Sequence, residues 1–427
     1  MRIFIRIIKG EKMEQKTKYQ YTNFIYPYSI PEDTYKTYLQ NLLGNKKVEL
    51  TFWEKERDYH LYSYFLPVVR DYLFWSLEWD HAKEREFLEL DNKMKALLLS
   101  QKPCTIFEYK MGEDIQGKVG QANGIFFKIQ KIQIICFSTG ICFLTFKTNI
   151  ENSNLFSDVL NFNYKFRDIH SEFASLKEYE NIKIQTDALQ DMKELGTLIE
   201  EIAGKDTDMK SLNIDTDRFL TYAYSCIEPE NWNEQNSFEQ IQYEFLKYCN
   251  VLPANYKSDF NTENIYKNFN ILDRWKFMRC GFTKTGTGLL ASGIDTTNYT
   301  KLPFSYENEY FYTYIFTLYK KIYLKKLNKE LRKKINTKKS RKKFIDFTQN
   351  IWIQEITNDT LGIQMEEEWK KVLDLNNLYS EVKNKYDVLY RENNIEKNTV
   401  LHKVVATLLS ITVLIHLVTV MILFLKR

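Results

Sequence analysis

The stretch Val404–Leu425 reads VVATLLSITVLIHLVTVMILFL and contains no Asp, Glu, Lys or Arg. At about 1.5 Å per residue, a helix of this length crosses a hydrocarbon core of about 30 Å. The sequence therefore predicts a transmembrane helix over 404–425. Lys403 precedes it, and Lys426 and Arg427 follow it. Basic residues at both ends leave orientation open. Working outward, Leu375, Leu378, Val382, Tyr386, Leu389, Asn393, Glu396 and Val400 are spaced by three and four. That spacing makes a seam of coiled-coil type, apolar at first and polar towards the span. No proline occurs after Pro303, so one helix running from about Asp374 to Leu425 is expected. Such a seam needs a partner, either another copy of the chain or the chain's own globular part.

Upstream, the expected layout is a mixed α/β domain (α+β or α/β) over 1–305, a helical region with a basic segment over 306–373, and a stalk helix over 374–403. The chain has 427 residues, of which 44% are hydrophobic, enough for a sizeable core. The net charge of +4 is too slight to imply nucleic acid, and no specific nucleic-acid binding is expected. Six cysteines, at 104, 136, 142, 226, 249 and 280, include no CxxC pair. A reducing compartment fits them better than a disulfide framework. MRIFIRIIKG at the amino terminus breaks its apolar residues with Arg2, Arg6 and Lys9, which makes a poor signal peptide, and Met13 is an alternative start. The expected placement is a single-pass protein of the cell membrane, with most of the chain in the cytoplasm.

Within the first domain, IQIICFSTGICFLTF (Ile132–Phe146) reads as two strands around Ser138-Thr139-Gly140. Both arms are nearly continuous apolar runs, as in a sheet covered on both faces. Helix candidates lie at 84–99, near 187–203 and near 237–249. Tyr59 to Trp79 is an aromatic stretch interrupted by Pro67. From Tyr306 the pattern is strongly helical, with Phe311, Ile315, Leu318, Ile322, Leu327 and Leu331 on one face. Lys320 to Lys343 carries thirteen Lys or Arg and one acid, Glu330. This run suits a solvated helix and loop, or anionic lipid headgroups or nucleic acid.

Motifs for chemistry are sparse. GFTKTGTG (Gly281–Gly288) could hold a phosphate through Lys284, Gly286 and Gly288, although it is neither GxxxxGK[ST] nor GxGxxG. A strand-to-strand loop is its plainer reading. Arg167, Asp168 and His170 are close enough for an acid–base cluster, and also for a surface ion-pair group. Asp206, Asp208, Asp215 and Asp217 could bind a divalent ion or form an exposed acidic loop. The histidines, at 60, 81, 170, 402 and 416, show no metal-ligand spacing, and the metal question stays open. With no visible nucleophile, metal site or acid–base pair, the chain is not expected to be an enzyme. Inside the span, Thr412, His416 and Thr419 share one helix face and are the candidate pore-lining residues.

YFYTYIFTLYKKIYLKKL (Tyr310–Leu327), IWIQEITNDTLGIQMEEEWKKVLDLNNLYSEV (Ile351–Val382) and the stalk that follows resemble the CorA-like divalent-cation transporter superfamily. The shared pattern is an aromatic-rich helix ending in LYxxxxLxxL, an ExTxxxxGxxxxxxW segment, and LYxEV at the start of the stalk. The resemblance covers roughly the last third of the chain. It implies a homo-oligomer, usually a pentamer, with cytoplasmic domains above a ring of stalk helices, and magnesium or another divalent cation as a possible ligand. The magnesium-conducting members have two spans with a Gly-Met-Asn filter between them. This chain has no such tripeptide and one clear span. Some members without the filter resemble antiviral effectors whose cytoplasmic domains sense a nucleotide signal and act on the membrane. Two functions follow as expectations: an oligomeric channel or ligand-gated membrane effector, or a tail-anchored cytoplasmic binding module or enzyme tethered by its last helix.

Overall fold

The computed structural model describes residues 14–111, 115–119, 124–168, 183–186, 189–204, 218–257, 269–332 and 337–425. These form two compact units, Met1–Tyr323 with Ile353–Leu375, and Leu324–Trp352 with Asn376–Arg427.

The first unit is built on a 12-stranded mixed sheet, so a mixed α/β domain is what the fold delivers. Its strands are β1 (Thr17–Ser29), β2 (Val48–Leu50), β3 (Cys104–Tyr109), β4 (Ile115–Val119), β5 (Ile125–Phe137), β6 (Ile141–Ile150), β7 (Lys183–Thr186), β8 (Leu189–Glu194), β9 (Leu220–Ile227), β10 (Asn270–Leu272), β11 (Met278–Phe282) and β12 (Gly286–Ser292). The main order is β10-β11-β12-β9-β1-β6-β5-β4-β7-β8, and β3 joins β2 to β5. Only β12 and β9 pair in parallel; the other named pairs are antiparallel.

Strand alternation sorts the two faces. Phe24, Ile132, Ile134, Cys136, Cys142, Leu144 and Ala223 point into one core. That core is completed by α1 (Tyr35–Gly44), α5 (Asn92–Leu99), α6 (Phe156–Phe166), α7 (Leu195–Ala203) and α8 (Gln242–Asn250). Residues of the opposite parity meet an aromatic layer from α10 (Phe311–Arg332). There Phe137 stacks on Tyr319 at 3.8 Å, and Gln133 donates to the Tyr312 hydroxyl at 3.1 Å. The β5–β6 hairpin is thus covered on both faces, as its apolar arms required. Gly140 makes its turn with φ +79°, and a Cβ there would stand 2.2 Å from the Ile30 carbonyl oxygen.

The remaining helices are α2 (Tyr59–Tyr64), α3 (Pro67–Leu73), α4 (His81–Glu89), α9 (Lys301–Ser305), α11 (Thr337–Asp346), α12 (Thr360–Val372) and α13 (Leu375–Leu425). Pro67 starts α3, where its missing N–H costs no helix bond. The helix expected over 84–99 is two helices, because Asp91 turns aside to cap α5 by accepting from the Met94 amide. The helix expected near 187–203 begins only at Leu195, after strand β8.

In the second unit, the end of α10, α11 and α13 form a three-helix group. Glu330 on α10 accepts from Ser340 (3.1 Å) and pairs with Lys343 (3.2 Å) on α11. Phe344 of α11 lies 6.0 Å from the Tyr379 ring and 5.0 Å from the Tyr386 ring on α13. Arg332 pairs with Glu381 at 3.0 Å, and Lys385 bonds both Glu381 and Asn328. Hydrogen bonds from Lys385 and Asn328 hold the Glu381 carboxyl down to about 2. α13 is one uninterrupted helix of 51 residues, as the proline-free sequence allowed.

Candidate functional site

The outer part of α13 is the clearest feature that the chain does not use to build its own core. Asn398–Thr419 is long and apolar enough to cross a membrane, and none of it is buried. Leu414 and Leu417 are about as open as the rest, at 60% and 61%. The sequence window at 404–425 and this one overlap over most of their length. Apolar surface of this extent is costly in water.

On this helix Thr412, His416 and Thr419 fall within an arc of about 60° at 3.6 residues per turn. Thr412 donates to the Leu408 carbonyl (2.9 Å) and Thr419 to the Ile415 carbonyl (2.7 Å). Thr407 and Ser410, on other faces, bond Lys403 and Ala406 in the same way. Each hydroxyl hydrogen is thereby satisfied within the helix, while its oxygen still presents a polar stripe to whatever meets that face. His416 stands exposed on the stripe.

The stalk seam divides in two. Val382 is buried and Leu378, Tyr386 and Leu389 are half-buried, in a stretch where α11 packs Phe344 on Tyr379 and Tyr386. The chain itself thus covers the lower seam. Farther on, Ile395 and Val400 are exposed at 65% and 60%.

The glycine-rich stretch is a β-turn between β11 and β12. Lys284 is on the turn, while Gly286 and Gly288 lie inside β12. The Gly286 amide donates to Thr283 Oγ1 at 3.1 Å, and Gly288 pairs with Gly281 and Ala223 on its two sides. A Cβ on Gly288 would meet the Tyr248 ring at 2.9 Å and the Cys249 sulfur at 3.1 Å. Gly288 thus serves close strand–helix packing, Gly286 lets β12 approach Thr221 of β9, and the Gly286 amide is engaged with the protein.

Asp168 sits between two guanidinium groups, with Arg218 Nε at 3.0 Å and Arg167 Nε at 3.7 Å. Its backbone also bridges to Arg218. The group ties two segments together. His170 and Asp206, Asp208, Asp215 and Asp217 lie outside the described residues. Among the described residues no group of three or more His, Cys, Asp or Glu is placed to hold a metal. All six cysteines are buried and unbridged. Burial pushes the Cys226 thiol up to about 12 and Cys104, Cys136, Cys249 and Cys280 upward too, which disfavours the reactive thiolate.

Two arrangements in the first unit were not legible from spacing. One joins Lys320 of α10 to Glu366 and Lys370 of α12. Lys320, 1% exposed, donates to the Ile353 carbonyl at 2.8 Å and lies over the Phe316 ring and 4.0 Å from Glu366. Lys370 pairs with Glu366 at 2.7 Å. Burial, opposed by Glu366, brings the Lys320 ammonium down to about 7. The other is an open cleft of about 680 Å³ beside β10 and β11, lined by Trp232, Phe238, Phe277, Lys276, Arg279 and Asp273 among others. Arg279 lies against the Phe238 and Trp232 rings.

The ExTxxxxGxxxxxxW segment is a docking device. Thr357 donates to the Tyr64 carbonyl at 2.6 Å and accepts from the Asp359 amide at 3.0 Å. Asp359 caps α12 by accepting from the Gly362 amide at 2.7 Å. A Cβ on Gly362 would strike the Tyr64 hydroxyl at 2.2 Å. Trp369 Nε1 donates to Thr287 Oγ1 at 2.8 Å on the aromatic face of the sheet. The segment that carries the family resemblance thus fastens α12 to α2 and β12.

Comparison of the chain with known protein families, with curated proteins and with solved structures found no match in any of the three.

Proposed function

We propose that this chain is a CorA-like, single-pass membrane protein that works as a homo-oligomer, with a pentamer favoured, acting as an ion channel or ligand-gated membrane effector. In this reading the sheet unit lies in the cytoplasm, senses a ligand such as a nucleotide signal, and the last helices gather around or beside a pore. The observation that carries the proposal is the polar stripe Thr412, His416 and Thr419 on a helix long and apolar enough to cross a membrane, which none of the described residues covers. A lone span anchors equally well without a polar stripe, whereas side chains facing a lumen or a neighbouring helix have a use for one. The absence of a Gly-Met-Asn tripeptide argues against magnesium selectivity of the usual kind. A divalent cation remains a ligand to test.

The test is ion flux from liposomes containing the full chain. His416→Ala is expected to change flux several-fold, while Leu414→Ala, on the opposite face, leaves it within twofold. A full chain that inserts and passes no ion, with or without candidate nucleotides, contradicts the pore. The aromatic cleft around Trp232 and Arg279 supports a second reading, a tethered binding module. Under that reading a chain ending at Val400 keeps its ligand binding unchanged.

A further inference from the structure

The three-helix group of the second unit has a direction. Along α11, Phe344 meets Tyr379 and Tyr386, and Arg341 meets Tyr386 and Tyr390. Lower numbers on α11 thus pair with higher numbers on α13, and the two helices are antiparallel. Glu330, two residues before the end of α10, meets Ser340 and Lys343 near the start of α11, so the end of α10 lies beside the start of α11. The end of α10 and the start of α11 therefore both lie towards the span.

The distance can be set by the helical rise. Arg341 reaches Tyr390, and Asn398 stands eight residues beyond it, about 12 Å along the axis. Lys338, one turn before Arg341, takes up about 5 Å of that gap. It ends about 7 Å short of Asn398, or about 16 Å short of Val404 where the uncharged run begins. A headgroup layer adds about 5–7 Å to each side of the hydrocarbon, and charges act across a Debye length of about 8–10 Å. Lys338 thus falls within reach of headgroups whichever residue marks the boundary.

The chemistry at that end is strongly one-sided. Among the described residues of 329–343, seven Lys or Arg stand against Glu330 alone. On α11, Lys338, Lys339 and Lys342 are exposed, and Arg332 is exposed at the end of α10. The stalk beside them adds no balance of either sign: Asp387, Glu392 and Glu396 stand against Arg391, Lys397 and Lys403. The charge belongs to the hairpin, and the hairpin is aimed along the helix that enters the bilayer.

We propose that the basic end of the α10–α11 hairpin is a docking surface for anionic lipid headgroups of the membrane that α13 enters. This rests on reading α13 as a span. A nucleic acid would meet the same charge, but it gives no reason for the charge to be placed at the membrane end of the stalk. Each lysine near an anionic surface is worth roughly a fivefold gain in partition. Lipid composition would then set how firmly the three-helix group is held against the bilayer.

The test uses the full chain in nanodiscs of neutral phosphatidylcholine, or of the same lipid with phosphatidylglycerol. Incorporation into either disc reports the span and is read separately from the docking. Amide exchange over α11 is the readout. Phosphatidylglycerol is expected to slow it several-fold, and high salt to abolish the slowing. The double variant Lys338→Gln/Lys342→Gln should lose the lipid effect while exchanging normally in neutral discs, and Lys338→Arg/Lys342→Arg should keep it. Equal exchange in both discs, for a chain that has incorporated, overturns the proposal. Stronger protection of the same amides by a short RNA in neutral discs than by phosphatidylglycerol would also overturn it, in favour of nucleic acid.

Discussion

The two units of this chain solve opposite problems. The sheet unit buries aromatic residues on both faces of one sheet, with Phe24, Tyr222, Tyr314, Phe316 and Trp369 all nearly inaccessible. The helical unit spends its burial on the first turns of α13 and then leaves the rest of that helix uncovered. The first is a finished core. The second has an apolar surface that none of the described residues covers. A side chain of the same size should therefore matter greatly in one unit and little in the other.

Trp369→Ala sets the upper end of that contrast. It empties a fully buried site and strands Thr287 Oγ1, so a loss of about 3–5 kcal/mol is expected in denaturant unfolding of the detergent-solubilised chain. A loss below about 1 kcal/mol would mean that α12 is not fastened to the sheet as described. Gly286→Ala should cost about 1–3 kcal/mol, because its Cβ would lie 2.4 Å from the Thr221 carbonyl oxygen.

The buried Lys320 supplies a pH signature. Its folded-state value of about 7 lies below its ordinary 10.5, so between these values the unfolded chain binds more protons than the folded one. Stability from this group accordingly rises with pH above about 7. Lys320→Met should remove that rise, worth roughly 1–2 kcal/mol between about pH 7 and pH 8.5, as melting curves of the two proteins across that window would show. Parallel pH profiles would indicate that Lys320 is not held as the geometry implies. Asp359→Ala removes the α12 cap and should cost about 1 kcal/mol. At the lower end, Leu414→Ala on uncovered α13 should leave unfolding of the sheet unit unchanged within about 0.5 kcal/mol. A large effect there would mean that the end of α13 packs on its own chain.

Local patterns carried the legible part of this fold. The uncharged run, the absence of proline after Pro303 and the two apolar arms around Gly140 each depend on neighbours in sequence, and each led to the element observed. The separation of Glu84–Leu99 into two helices was missed because Asp91 can serve as a helix residue or as a cap, and the capping bond to Met94 decides it. The strand β1 (Thr17–Ser29) hid among its many tyrosines, since an aromatic run buried on both faces has no alternation to read. The Lys320–Glu366–Lys370 group was out of reach for a different reason. Its members come from two helices about 46 positions apart, and in sequence Lys320 is one more lysine in a basic run. At the candidate site, spacing alone placed Thr412, His416 and Thr419 on one face, but it could not reveal that α11 already occupies the lower seam. That leaves the upper stalk and the apolar end of α13, rather than the whole seam, uncovered by the described residues.

The most direct measurement is the mass of the detergent-solubilised full chain by light scattering, beside a chain ending at Val400. A discrete ring of about five subunits for the full chain, and a smaller species for the shortened one, is the expected result. A monomer in both would contradict assembly through α13 and leave that helix as a tether.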